Sequence, residues 1–429
     1  MNAAHFELFY ASTGICTDTR KIEKGCLFIC IKGDNFDGNT FAKEALKQGA
    51  SHVIVDNPNY LEKDEAMTLV DDSVKYLQAL ANHHRKKFNI PVIGITGSNG
   101  KTSSKELINA VLSKKYNVLA TIGNLNNHLG VPFTLLRLTK EHDIAIIEMG
   151  ANKFKDIEEL CTIAEPNYGI ITNIGKAHLE GLHSFEGVLK TKRELYESVE
   201  NAQGTIVVNQ DDHVLMSALP TGIKTFSYGT NQANVQGELL RLSPFVEMKW
   251  QTNDYVSEEI HTQMVGNYNF YNFLAAAAFG VIFNVPFDAI SHAISEYSPT
   301  NNRSQVKKTA NNTLILDCYN ANPTSMRSAL ESFAMIQHPD KLFILGDMKE
   351  LGEESQKEHE AIIQLAETLQ LKGYVVGNYF SSIASPAILH HFTRTSELLE
   401  FISTSPVNNQ LVLLKGSRSI GLEVVEASL

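Results

Sequence analysis

The chain predicts an α/β protein of three domains, bounded at 1–88, 89–302 and 303–429. Three observations lead there. The 429 residues exceed what one ordinary core organises. Apolar runs rich in Ile and Val, without polar alternation, recur between helical patterns, as in parallel sheets covered on both faces. The alternation then restarts after residue 303, as a second sheet would require.

The first domain carries the strand-like runs "CLFICIKG", "HVIVD" and "MTLVDD". The helical stretch "SVKYLQALANHHRKKF" leads out of it, and Pro91 marks a boundary. In the second domain "PVIGIT", "DIAIIEMG", "YGIITNIG" and "TIVVN" read as parallel strands joined by crossover helices. "FLAAAAFGVIF" is too short to span a bilayer and reads as a buried helix. In the third, "NTLILDCYN", "KLFILGDM", "GYVVGN" and "LVLLKGS" read as strands. "TSMRSALESFAMI" and "ESQKEHEAIIQLAETLQ" read as helices of a Rossmann-like unit.

Between "PVIGIT" and a helix with Leu107, Ile108, Val111 and Leu112 on one face lies Gly97-Ser98-Asn99-Gly100-Lys101-Thr102. The glycines permit positive φ and close approach of the backbone. A helix N-terminus favours an anion. Lys101 is placed to reach terminal phosphates, and the Thr102 hydroxyl to bind Mg²⁺. The first glycine of the usual phosphate-loop spacing would fall at Ile95, so the loop departs from the general pattern. Glu148 closes the next strand and points to the crevice where such sheets bind ligands. His178 follows another strand end. From the residue alone, Lys192 in "LKTKRELYES" reads as an exposed helical lysine.

A net charge of −11 argues against sequence-independent nucleic-acid binding. Five cysteines without a C-x-x-C pair read as reduced thiols of a cytosolic protein. "MNAAHFELFYAS" lacks the pattern of a signal peptide.

Taken together, "ITGSNGKT", "IIEMGA", "TNIGKAHLEGL" and "GNYNFYNFLAAAA" resemble successive blocks of the Mur ligase family, whose loop also lacks the first glycine. The discriminating stretches "GNLNNHLGVPFTLLRL", "LDCYNANPTSM", "LGDMKELG" and "LKGSRS" resemble the branch that adds D-alanyl-D-alanine to UDP-N-acetylmuramoyl-tripeptide. "TDTRKIEKGCLFICIKGDNFDGNTF" looks like that branch's UDP-sugar-binding domain.

The resemblance implies ATP as a substrate and two Mg²⁺ ions. Lys101, Thr102 and Glu148 would serve phosphate and one ion; His178 and an N-carboxylated Lys192 would serve the other. Lys101, His178 and Lys192 are the implied catalytic set. Asn269, Arg303 and Asp317 would meet the nucleotide. Thr17, Asp18, Arg20, Lys32, Gly33, Asp37 and Gly38 would face the UDP-sugar; Asn126, Asn127, Asn320 and Asn322 would face the peptides. A cytoplasmic monomer without nucleic-acid or membrane partners is expected, with a hinge near residue 303. Asn39, Ser103-Ser104, Tyr268 and Cys318 depart from the family's frequent residues. A different acceptor (another Mur ligase, or a folylpolyglutamate synthase-like enzyme), a shape-changing ATPase and a non-catalytic nucleotide-binding scaffold are the competing readings.

Overall fold

The computed structural model describes residues 3–33, 35–62 and 66–429. Three sheets follow one another along the chain. The first is parallel, in the order Ile15–Cys16, Leu27–Ile29, His52–Val55, Met67–Leu69, with a small hairpin of Lys32–Gly33 and Phe36–Asp37 beside it. The helix Ser73–Arg85 leaves it three residues short of the expected end. Leu27, Ile29, Tyr76, Leu77, Val92 and Ala145 share one buried cluster, so this helix welds the first sheet to the second. Buried Arg85 secures the joint by donating from Nε to the Ala164 carbonyl at 3.0 Å.

The central sheet has nine strands. Val92–Thr96 lies in its interior, with Ile144–Glu148 and then Val118–Ala120 on one side. Tyr168–Ile171, Thr205–Asn209 and Lys224–Gly229 follow on the other. The chain fills the first side and then crosses to the second, making the carboxyl end of Val92–Thr96 a topological switch point. All four strands expected here are present and parallel.

The edge corrects the all-parallel expectation. Val235–Arg241, Glu247–Gln251 and Ile260–His261 pair antiparallel. Glu247–Gln251 buries alternate residues, and the far half of Val235–Arg241 is exposed. Such half-covered strands lack the continuous apolar runs that mark the others. The helix Tyr268–Ile282, buried nearly throughout as expected, packs on the loop-bearing helix Lys101–Leu112.

The third sheet runs Gln305–Lys308, Thr313–Leu316, Leu411–Lys415, Lys341–Gly346, Gly373–Val376, Ile388–Phe392, parallel apart from its first pair. One of its two cores is its own, and the other takes in Val265 of the central domain, with Leu179 and Phe245 packed against it. Polar contacts add to this junction. Asn322 Nδ2 donates to Asn99 Oδ1 at 2.7 Å, Lys176 pairs with Glu358 at 2.5 Å, and the Lys176 backbone N–H donates to Thr324 Oγ1 at 3.3 Å. All five cysteines are free and buried. No helix among the described residues is long and apolar enough to cross a membrane.

Candidate active site

The turn after Val92–Thr96 requires its glycines. Gly97 has φ 145°, and a Cβ there would lie 3.0 Å from the Thr172 backbone nitrogen. Gly100, at φ 77°, starts the helix Lys101–Leu112 without a side-chain cap, leaving backbone N–H groups for a ligand. Asn173 clamps the loop: its Oδ1 accepts from Asn99 N–H at 3.0 Å and its Nδ2 donates to Asn99 O at 2.9 Å. Ser98 Oγ donates to Gly175 O at 3.1 Å. Lys101 folds back so that Nζ donates to Gly97 O at 2.6 Å. Burial pushes its ammonium below the ordinary lysine range; Glu148 opposes this and Arg303 adds to it.

Thr102 Oγ1 donates to Glu148 at 2.9 Å, and Asn126 Nδ2 donates to the same carboxylate at 2.8 Å. Lys105, which the sequence reading did not single out, is fully buried with Nζ 4.0 Å from Glu148. It also donates to Thr121 O at 2.6 Å. Glu148 is thus a buried carboxylate held beside a hydroxyl and an ammonium, with oxygen donors suited to a hard cation.

The loop and the Glu148 carboxylate open on one cavity of about 1330 Å³ between the central and C-terminal domains. Ser98 to Thr102, Asn126, Asn127, Glu148, His178, Asn269, Arg303, Asp317, Asn320 and Asn322 all face it. Asn127 also accepts from Gly130 N–H at 2.8 Å, starting the helix Gly130–Leu135. Asn269 and Asn272 are joined at 2.9 Å, and Ser104 Oγ donates to Asn272 Oδ1 at 2.9 Å, tying the Asn-rich block to the loop helix. The Arg303 guanidinium lies 3.7 Å from the Tyr319 ring centroid. Asp317 pairs at 2.5 Å with buried Lys415 and accepts from Ser304 N–H.

Lys192 corrects the surface reading: it is 1% exposed, and its Nζ has no hydrogen-bond partner. Burial drives its amine well below the ordinary range, and the Lys101 charge drives it further. Such an amine is held toward the neutral form that adds CO₂, so the orphaned Nζ fits N-carboxylation, which would supply it with oxygen ligands. Lys192 and Gly97 do not line the cavity.

His178, at φ 53°, faces the cavity. Glu350 Oε2 of the C-terminal domain approaches its Nδ1 to 2.6 Å, without the alignment of a hydrogen bond. The imidazole holds the Glu350 carboxyl below its ordinary range.

None of Thr17, Asp18, Arg20, Lys32, Gly33, Asp37 and Gly38 lines this cavity. Arg20 is exposed and bidentate on Asp18, holding that carboxyl down at about 2. A Cβ at Gly38 would come within 2.5 Å of Ile31 O, so the chain needs glycine there. Asn39 proves structural: buried, it donates to Asp37 and Asp56 at 2.7 Å each. Tyr268 binds Ser304 Oγ at 2.7 Å across the domain boundary. Asn173, Lys349, Glu350 and Lys415 are among the cavity residues not named from the sequence, although these four lie inside stretches quoted from it; others, such as Asp156, Asp211 and Asp212, lie outside them.

An anion-binding loop at a sheet's switch point, sharing a polar cavity with a separate α/β domain, belongs to an enzyme that brings a nucleotide to a second substrate between domains. The chain belongs to the Mur ligase family. Residues 12–88 match the Mur ligase family catalytic domain, 95–280 the Mur ligase middle domain and 302–418 the Mur ligase glutamate ligase domain. It is similar to the UDP-N-acetylmuramoyl-tripeptide--D-alanyl-D-alanine ligase of Bacillus subtilis (strain 168), with 34% identity covering 96% of this chain and 92% of that one. Among solved structures it is similar to MurF from Acinetobacter baumannii, with TM-score 0.88, 32% identity and coverage of 97% of this chain and 92% of that one. It is also similar to the MurF ligase from Thermotoga maritima in complex with ADP, with TM-score 0.88, 26% identity and coverage of 98% and 97%.

Proposed function

We propose that the chain joins D-alanyl-D-alanine to UDP-N-acetylmuramoyl-tripeptide while ATP becomes ADP and phosphate, a step of peptidoglycan precursor synthesis in the cytoplasm. The observation that carries this reading is the single cavity on which the loop Ser98–Thr102 and the Asn320–Asn322 turn both open.

Amide formation from a carboxylate in water is uphill. Transfer of the γ-phosphoryl to the tripeptide carboxylate breaks its bond to ADP and makes an acyl phosphate. The dipeptide amine then forms the C–N bond as phosphate leaves. The obstacle is repulsion between two anions. The loop's N–H groups and the Lys101 ammonium offset it at the phosphates. In this reading Thr102 and Glu148 hold one Mg²⁺; His178 and N-carboxylated Lys192 hold a second. When bound, the ions supply the remaining charge neutralisation. Asn269, Arg303 and Asp317 position the nucleotide. Asn126, Asn127, Asn320 and Asn322 position the peptides, bringing the reacting groups together. Thr17, Asp18, Arg20, Lys32, Gly33, Asp37 and Gly38 hold the UDP-sugar at the far end of the acceptor. Contacts across the cavity exclude water that would hydrolyse the acyl phosphate. The enzyme works as a monomer.

The test is phosphate release across a panel of UDP-muramoyl peptides, with D-Ala-D-Ala or single amino acids as the amine. Release that needs both a UDP-muramoyl-tripeptide and D-Ala-D-Ala is expected. Equal turnover of ATP without the peptides would overturn the reading in favour of a shape-changing ATPase.

A further inference from the structure

Glu350 carries no role in the reaction described above, yet the chain is built to aim it. It stands in the turn after Lys341–Gly346, with neighbouring backbone groups fixed one by one. Asp347 N–H donates to Val376 O at 3.0 Å, Met348 N–H to His359 Nε2 at 2.9 Å, and Lys349 N–H to Ser417 Oγ at 3.0 Å. The Asp347 carboxylate accepts in turn from Tyr379 and Phe380 N–H at 3.1 Å each. His359 is fully buried, and its Nδ1 lies 2.6 Å from Ser355 O, which leaves Nε2 as the acceptor for Met348.

On this anchored base Glu350 adopts φ 63°, a left-handed conformation that costs a residue with a Cβ. Its side chain stays 51% exposed, and two contacts engage the residue. The carboxylate stands 2.6 Å from His178 Nδ1, close but not aligned as a hydrogen bond, and the Glu350 carbonyl accepts from Glu180 N–H at 3.3 Å. Side chain and backbone together grip the segment that carries His178.

A metal-ligating histidine ordinarily gives its second ring nitrogen to a carboxylate, which fixes the ring and strengthens the ligand. We propose that Glu350 is a positioning residue of this kind. The C-terminal domain delivers its carboxylate to His178 Nδ1, and the ring is thereby held with Nε2 toward a divalent cation in the cavity. The inference rests on the reading of His178 as a ligand. It makes completion of one cation site depend on domain closure, because ligand and orienting group sit on different domains.

The test is Mn²⁺ titration of the full-length protein, followed by electron paramagnetic resonance with a non-hydrolysable ATP analogue present. Wild type is expected to take up two ions. Glu350→Ala should weaken one of them roughly ten-fold or more and leave the other unchanged. Glu350→Gln, which keeps an acceptor oxygen, should lose less. Equal binding in all three proteins would overturn the proposal. Tighter binding by Glu350→Ala would overturn it too, showing that the carboxylate competes with the ion. A wild type that makes product but binds one Mn²⁺ sinks this inference alone, whereas a wild type that makes no product sinks the ligase reading.

Discussion

Replacing Gly97 by alanine tests whether the loop geometry is what binds nucleotide. The new Cβ meets two obstacles. At φ 145° an L-residue is strained, at a cost of about 1 kcal/mol. The Cβ would also lie 3.0 Å from Thr172 N and 3.2 Å from Asn173 N, and closer still to Thr172 Oγ1. That hydroxyl cannot swing away freely, because it donates to Asn99 O at 2.5 Å. Overpacking of this kind costs about 1–3 kcal/mol. The loop relieves it by moving, so the combined ~2–4 kcal/mol is expected as lost nucleotide affinity, a factor of roughly 30 to 1,000. Gly222→Ala is the control: it shares positive φ, but a Cβ there meets nothing within 4 Å. Calorimetric titration with ADP should show the loss in Gly97→Ala and none in Gly222→Ala. Wild-type affinity in Gly97→Ala would refute the assignment of this loop.

Further outcomes follow from the same contacts. Lys192→Ala should lose most of its turnover and recover part of it when short carboxylic acids are added; unchanged activity would remove the carbamate role. Lys192→Met should melt higher than wild type near neutral pH in CO₂-free buffer, because an apolar residue replaces an uncompensated buried amine. The folded state holds that amine's pKa down, so the unfolded chain binds more protons between the folded and ordinary values. Wild-type stability therefore rises with pH through that window, and the variant's advantage should shrink toward pH 10.5. Lys415→Ala strands Asp317 and should cost about 3 kcal/mol in the C-terminal domain's unfolding, with a raised KM for ATP. Glu358→Lys sets like charges against Lys176 across the domain junction; small-angle scattering should show a more extended particle than wild type, and an unchanged radius would deny that this pair holds the domains together.

The sequence exposed those features that follow from continuous runs. Strands covered on both faces, such as Ile144–Glu148, advertise themselves by unbroken apolar residues, and the glycine loop by its backbone demands. The antiparallel edge was hidden because Val235–Arg241 has little to bury beyond its first residues. Groups that act through partners were hidden for a different reason. Lys415 and Glu350 matter because of Asp317 and His178, which lie 98 and 172 positions away in the chain, and no local pattern records such a pairing.

Lys192 shows that some of what was missed had left a trace. The helix Phe185–Asn201 buries Val188, Thr191, Lys192, Leu195, Tyr196 and Val199, one stripe at helical spacing. Read one residue at a time, a lysine on a helix is a surface residue. Read by period, Lys192 falls four positions after Val188 and three before Leu195, inside the stripe that must face the core. A lysine kept there gives up hydration of its charge with no partner to offset the loss. An apolar residue of similar volume would fill the same space without that cost. Burial without a partner, and the Lys101 charge acting in the same direction, both disfavour the ammonium form of this amine.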